Sequence, residues 1–390
     1  MKFERLGEIV KITKGKKHEP APEKEGRNFR YIQIDDLRND NNLKFTDEKG
    51  TEVNENDLII AWDGANAGTI GFGLRGMIGS TLARLRIKEE KEYNTDFIGY
   101  LLRSQNKFLR SKTTGATIPH ISKNALESIN IPQLDYPKQY TAALVLKRTL
   151  TLIEQRKQSV ALLDEFLKST FLEMFGDPVK NEKEFQVKLL GDVLSIKHGF
   201  AFSSEFFTTD GGEYVLLTPG NFYEVGGYRD RGEKQKYYLG EFPKEYLMRK
   251  GELLVAMTEQ AAGLLGSAII VPHSNIFLHN QRLGLVQFDK KILSTHFLFY
   301  LFNFNSIRFL IHAKATGLKV RHTSPTRIQE ISIGVPPIEL QNKFSDIVTK
   351  AETLKEEYKK SLDELENLYG SLSQKAFKGE LEFSKPVAVN

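Results

Sequence analysis

DYPKQYTAALVLKRTLTLIEQRKQSVALLDEFLKSTFLEMF, residues 135–175, and IELQNKFSDIVTKAETLKEEYKKSLDELENLYGSLSQKAF, residues 338–377, are two long helical patterns in one chain. In the second, Phe344, Ile347, Val348, Ala351, Leu354, Tyr358, Leu362, Leu365, Leu368, Tyr369 and Leu372 recur at spacings of three and four, the apolar stripe of an amphipathic helix. Neither has Pro beyond its first turn, and Gly370 is the only glycine inside either. Some 40 residues of helix give a rod of roughly 60 Å. Each rod has a stripe to bury, and its obvious partner is the other rod. Val145, Leu152, Leu163 and Phe166 in one, and Val348, Leu354, Leu365 and Leu368 in the other, are the residues expected to form the spacer between them.

Outward from the rods the whole chain is a tandem duplication. LGEIVKITKG (6–15) returns as LGDVLSIKHG (190–199), and FRYIQIDDL (29–37) as EYVLLTPGNF (213–222). DLIIAWDGANAGTIG (57–71) returns as ELLVAMTEQAAGLLG (252–266), and DFIGYLL (96–102) as HFLFYLF (296–302). TTGATIPHISKNALESINI (113–131) returns as ATGLKVRHTSPTRIQEISI (315–333). The two helix starts, IPQLDYPKQY and VPPIELQNKF, align best with a shift of two residues. The separation between copies grows in steps, as insertions in loops produce.

The fold class is mixed α+β: two α/β domains in tandem, each followed by a long helix, with the helices paired about a pseudo-two-fold axis. The boundaries read as domain 1–134, helix 135–176, linker 177–186, domain 187–336, helix 337–379 and tail 380–390. DLIIAWDG, ELLVAMT, LARLRIK and GLVQF are short apolar runs bounded by turn residues, hence strands. DFIGYLLRSQNKFLRS and THFLFYLFNFNSIRFLIHA each read as one helix. Gly176 suits a helix C-cap, and Pro178 stops continuation.

Composition narrows the function. The chain has 390 residues, 40% hydrophobic and 27% charged, without an apolar run long enough for a membrane span. The start MKFERLGEIVKITKGKK has no signal-peptide core, and a cytoplasmic, non-membrane protein is expected. No cysteine excludes disulfides, Cys-ligated metal and thiol catalysis. The glycines of GFGLRG (Gly71, Gly73, Gly76) precede a strand rather than a helix, so they are turn residues and not a dinucleotide loop. The eight histidines have no metal spacing, and no nucleophile–base set or methyl-transfer motif is visible. Asp35 and Asp36 form an acidic pair, but Thr218 and Pro219 stand in their place in the second copy. No catalytic residue, bound cofactor or metal site is expected.

Net charge is +5, which permits a polyanionic partner. Basic, aromatic and amide residues gather in loops. In the first copy the candidates for DNA contact are Lys14, Lys16, Lys17, His18, Arg30, Asn66, Lys112, Thr114 and His120. In the second they are Lys197, His198, Asn221, Tyr223, Arg229, Arg231, Lys234, Lys236, Gln260, Lys319, Arg321 and His322. Lys and Arg position phosphates, while Arg, Asn, Gln and His read base edges. Shared scaffold with divergent loops, such as KHEPAPEKEGRNFR against AFSSEFFTTDGGE, suits the reading of two different sequences. A coiled-coil scaffold with two protein-binding domains, and a stand-alone nuclease or methyltransferase, are the competing readings.

The tandem order, the pair LGEIVKITKG and LGDVLSIKHG, both helix starts, and LIEQRKQSVALLDEFLKSTFLEMFGDP with KKSLDELENLYGSLSQKAFKGEL resemble the specificity subunit of type I restriction–modification systems. The resemblance covers essentially the whole chain. It implies two target recognition domains separated by conserved helices in an antiparallel coiled coil. It implies a bipartite double-stranded DNA target with a fixed gap. Two methyltransferase (modification) subunits and the restriction subunits would be its partners, and S-adenosylmethionine, ATP and Mg2+ would belong to them. A specificity subunit of a related type II (B-like) system is the alternative within the resemblance.

Overall fold

The computed structural model describes residues 2–24, 28–115, 117–260, 263–317 and 319–381. Of the expected tail 380–390, residues 382–390 lie outside these. The chain divides into two compact units, one of residues 1–158 with 359–390 and the other of residues 159–358. The division runs through both long helices, so each unit holds one globular domain and half of each helix.

Each domain closes on itself by pairing its first strand with its last. Phe3–Arg5 runs antiparallel to Asn130–Pro132, and Gln186–Leu189 to Ser332–Val335. A four-stranded antiparallel sheet follows in the order Val10–Lys14, Leu82–Ile87, Asp57–Ala61, Ile70–Phe72. The second domain repeats that order with Leu194–His198, Leu283–Phe288, Leu253–Ala256 and Ala268–Ile270. A second sheet in each contains one parallel pair, Phe29–Ile32 with Gly76–Ile78 and Tyr214–Leu217 with Phe277–His279. Its remaining strands differ between the copies.

The apolar runs DLIIA and LLVA do not alternate with polar residues because both of their faces are covered. Leu58 and Ile60 enter one core with the helix Thr95–Ser104, while Ile59 and Ala61 enter another with Ile32 and Ile78. Leu253 and Val255, against Leu254 and Ala256, divide in the same way. Truncating any of these fully enclosed side chains, such as Ile59→Ala, costs ~2–5 kcal/mol.

The expected single helices are each two. Thr95–Ser104 is followed by Asn106–Ser111, and Thr295–Phe302 by Asn305–Ala313. At each break a side-chain amide bonds a neighbouring loop: Asn106 Nδ2 donates to the Gly68 carbonyl at 2.7 Å, and Asn303 Oδ1 accepts from the Ala268 N–H at 3.0 Å. Of the glycines of GFGLRG only Gly73 lies in the turn; Gly71 and Gly76 belong to the strands Ile70–Phe72 and Gly76–Ile78 on either side.

The long helices span Tyr136–Phe175 and Ile338–Lys378. Gly176 and Gly379 end them in the left-handed region, at φ +67° and +66°. Both units show antiparallel pairing. In the first, Ala142, Ala143 and Leu146 share a core with Tyr369, Leu372, Ala376 and Phe377, and Lys157 pairs with Glu366 at 2.8 Å. In the second, Leu167, Phe171 and Phe175 pack with Phe344, Val348 and Ala351, and Lys355 pairs with Asp164. The spacer residues expected from sequence need correction. Val348 is buried and Val145, Leu163, Leu354 and Leu365 are half-buried, but Leu152, Phe166 and Leu368 are 50%, 50% and 48% exposed. One position on from these three, Ile153 and Leu167 are buried and Tyr369 packs on the first core.

A buried glutamine ties each helix to its domain. Gln139 Oε1 accepts from the Asn94 N–H at 3.0 Å, while Nε2 donates to the carbonyls of Glu92 and Leu134 at 2.8 and 2.7 Å. Gln341 does the same with Ser294, Ile292 and Pro336 at 2.9, 3.0 and 2.8 Å. Both glutamines are fully buried. This equivalence, with Asn130–Pro132 and Ser332–Val335 in matching pairings, corrects the two-residue shift read at the helix starts: the register of the preceding repeat continues unbroken. Replacing Gln139 or Gln341 by Ala leaves buried donors and acceptors unpaired, and is expected to cost about 3 kcal/mol in urea unfolding. A loss below about 1 kcal/mol would show that the clamp is dispensable.

Candidate nucleic-acid interface

Each central strand ends where a short hairpin docks beside it. In the first unit, Gly64 N–H donates to the Pro119 carbonyl and Ile121 N–H to the Trp62 carbonyl, both at 2.9 Å. In the second, strand Thr258–Glu259 pairs with Arg321–His322, and Thr323 N–H donates to the Met257 carbonyl at 2.9 Å. The helix below braces the adjoining loop. Arg110 donates to the Ala65 carbonyl at 2.8 Å; Arg308 donates to the carbonyls of Leu265 and Glu224 at 2.8 and 2.9 Å, and to that of Gly263.

In the first unit this arrangement gathers Lys14 and His120 around Asp63. Lys14 Nζ is 3.1 Å from one Asp63 oxygen and His120 Nδ1 is 2.6 Å from the other. Lys14 also lies 5.6 Å from the ring centre of Trp62, the chain's only tryptophan. His120 remains half exposed. Thr114 and Lys112 sit exposed on the same hairpin and its approach, and Lys16 and Lys17 are exposed beyond the strand. Asn66 takes a 2.6 Å hydrogen bond from Arg38.

Three of the expected contacts belong to the fold instead. His18 is 3% exposed, packs edge-on against Tyr31 at 5.2 Å and faces Glu48 at 3.3 Å, so it is closed to DNA. Arg30 is spent on Asp36 and Asp40, at 3.0 and 2.5 Å. Asn221 is 1% exposed, accepts from the Thr218 N–H at 3.0 Å and donates to Gln235 at 2.9 Å. Asp36 accepts from the Gln33 N–H at 2.8 Å in the same way, so Asp36 and Asn221 are the matching pair, each closing one turn.

In the second unit Lys319, Arg321 and His322 are exposed together on the hairpin, with Gln260 exposed at the end of the strand it pairs. Tyr223 and Arg229 form a second cluster, 5.9 Å apart, on the insertion that Arg308 ties to the loop around Gly263. Lys234 and His198 are exposed, and Arg231 lies over Gly220. Lys197 is engaged by Glu245 at 2.8 Å and by the Tyr246 ring at 4.8 Å, and Lys236 lies over Phe207 at 5.6 Å. Asp63 and Glu259 are the organisers that sequence reading passed over. Glu259, buried, accepts the N–H groups of Gly263, Leu264 and Leu265 at 3.0, 2.9 and 2.8 Å. Neither acid is repeated in the other copy, so duplication carried no signal for them. Among the described residues no His, Asp and Glu side chains are grouped to hold a metal ion.

Comparison with known proteins fits this geometry. The sequence profile of the family "Type I restriction modification DNA specificity domain" matches residues 1–162 and again 182–367. The chain belongs to this family. The type I restriction enzyme MjaVIII specificity subunit of Methanocaldococcus jannaschii is 25% identical over 378 residues, which is 93% of this chain and 88% of that one. The MjaIX specificity subunit of the same organism is 27% identical over 122 residues, 27% of this chain and 28% of that one. The type I S subunit from M. genitalium shares the fold at TM-score 0.62 and 16% identity, covering 96% of both chains. A chain solved in work on complex assembly and conformational transition of the type I R–M system does so at 0.57 and 17%, covering 97% and 98%. No helix among the described residues of this specificity subunit is long and apolar enough to cross a membrane.

One buried group under the interface gives a pH dependence. His279 lies beneath the loop after Leu194–His198, accepting the Phe200 N–H through its carbonyl at 2.9 Å, with Nε2 3.0 Å from the Leu283 carbonyl. Burial pushes its imidazole down to about 4 from an ordinary 6.5. Between those values the unfolded chain binds a proton that the folded chain does not. Stability therefore falls as pH drops from about 6.5 to about 4, by about 3 kcal/mol, and levels off below. Burial holds His296 down too, in the same direction. Denaturant unfolding of His279→Gln across this range is expected to lose most of the dependence; a curve as steep as the wild type's would contradict the assignment.

Proposed function

We propose that this chain is the DNA sequence-recognition subunit of a type I restriction–modification complex, non-catalytic itself, with each domain reading one half of a bipartite, asymmetric double-stranded target. The observation that carries the reading is the contrast within the duplication. Sheet order, closing strands, hairpin and glutamine clamp are shared between the domains. The surface loops at the strand ends are not: Lys16 and Lys17 stand where Phe200 and Ala201 follow the equivalent glycine. Two similar frames with dissimilar surfaces suit two dissimilar half-targets joined by a fixed spacer. Base edges are then read from the loops, and lysine and arginine hold phosphates.

On this reading the chain docks two methyltransferase subunits and the restriction subunits, in the cytoplasm. S-adenosylmethionine, ATP and Mg2+ are used by those partners. Exposed apolar side chains on the central helix favour a protein partner there: Leu162, Phe166 and Leu172 are 61%, 50% and 50% exposed in the second unit. Their desolvation by an apolar helix face would contribute about 2 kcal/mol per side chain.

Exchange of residues 187–335 for the equivalent segment of another specificity subunit, followed by genome-wide methylation mapping, tests the division of labour. One half of the methylated sequence should change and the other remain; a change in both halves would refute it. Leu162→Asp with Phe166→Asp is expected to weaken co-purification with the modification subunit at least tenfold while the chain stays folded. Undiminished co-purification would place the docking surface elsewhere.

A further inference from the structure

The hairpins at the ends of the central strands share their backbone pairing. Thr114 and His120 exchange backbone hydrogen bonds at 2.9 and 2.7 Å, and Thr316 and His322 at 3.0 and 2.8 Å. Gly115 and Gly317 follow the threonines at φ +95° and +99°, where a Cβ would lie 2.4 and 2.0 Å from the carbonyl oxygens of Ile118 and Val320. Turn geometry thus accounts for the glycines. It does not account for the side chains retained around them. Lys112, Thr114 and His120 are exposed, and so are Lys314, Thr316 and His322 at the matching positions, with Lys314 3.4 Å from Glu330 and Thr316 accepting from Arg327 at 3.0 Å at the surface.

Retention is selective here. Between the threonine–glycine and the histidine, Thr117, Ile118 and Pro119 have become Lys319, Val320 and Arg321. The support beneath the imidazole has changed as well: His120 leans on the Asp63 carboxylate, whereas His322 stands opposite Thr258. A cation, a hydroxyl and an imidazole persist in both copies although the residues beside and beneath them have diverged. A side chain that reads a base would diverge with its half-target. Two half-targets of different sequence still share one chemistry, the sugar–phosphate backbone, and Lys, Thr and His are donors suited to it.

Resting on the DNA-reading function proposed above, we infer that the two Thr–Gly hairpins are sequence-independent phosphate anchors. Lys112, Thr114 and His120 grip the backbone of one half-target and Lys314, Thr316 and His322 that of the other. The diverged residues beside them, such as Lys319 and Arg321, are left to read bases. Each frame is thereby seated in the same pose before its own loops meet the base edges.

The test uses the full-length chain assembled with its modification subunits, a duplex carrying the methylated target, and a duplex with one half-target scrambled. The variants are Lys112→Ala with His120→Ala, and Lys314→Ala with His322→Ala. All four side chains are exposed, and the contacts of His120 with Asp63 and of Lys314 with Glu330 are surface pairs, so the unfolding midpoint should shift little from the wild-type value. Each double variant should weaken binding to both duplexes by the same factor, on the order of tenfold, and reduce the slope of log affinity against log salt by about 1 per lysine removed. The methylated sequence in the genome should be unchanged. A relaxed or altered methylated sequence would overturn the inference, because the hairpins would then read a base. Unchanged affinity and slope would overturn it too. A wild-type complex that binds both duplexes equally and methylates no defined sequence would instead sink the DNA-reading function on which the inference rests.

Discussion

Everything in this molecule depends on the direction in which each long helix leaves its domain, and a single amide in each copy sets it. The side chain of Gln139 closes three hydrogen bonds with backbone groups of its own domain, and Gln341 closes the same three in the second. No water reaches either, so a helix that left at another angle would strand buried donors and acceptors at a cost of about 1–3 kcal/mol each. The far end of the other helix makes a second attachment. Phe377 meets Phe97 in the first unit at 5.7 Å, and Phe175 meets Phe297 in the second at 5.1 Å. Each domain is held by the start of the helix that follows it and by the end of the helix that follows the other.

The central strands are buried on both faces and tolerate little change. Their ends carry the docked hairpins, braced from the helix below by Arg110 and Arg308. A conserved frame thus presents short segments whose exposed residues contribute little to the fold. Lys16, Gln260 and Arg321 are exposed and can change without disturbing a core.

Much of this was legible in the sequence, for physical reasons. Duplication is visible because the same cores impose the same apolar spacing twice, and the long helices because their seams demand it. Fully buried strands such as DLIIA announce themselves by length and flanking turns. The misses have equally specific causes. Periodicity does not see an amide bonding a loop, so the breaks near Asn106 and Asn303 were invisible. Pro132 and Pro336 resemble one another and drew the helix starts out of register, while the glutamines kept it. Polarity marked His18 and Asn221 as surface residues, yet their loops fold inward and use them as hydrogen-bonding plugs. Leu152, Phe166 and Leu368 continue an apolar pattern without joining the seam, because the helix turns Ile153, Leu167 and Tyr369 inward beside them. Asp63 acquires its role only when the hairpin brings His120 to it from 57 positions away.

On the proposed function, the long helices Tyr136–Phe175 and Ile338–Lys378 would set the gap between two half-targets. Removal of one heptad from the central helix between Val145 and Phe166, together with the facing heptad of the C-terminal helix, shortens the pair by roughly 10 Å while preserving its seam. Genome-wide methylation mapping with the wild-type and shortened chains measures the result directly. The same two half-sequences, separated by a shorter gap, are the expected result. An unchanged gap in a chain that still folds and methylates would contradict it.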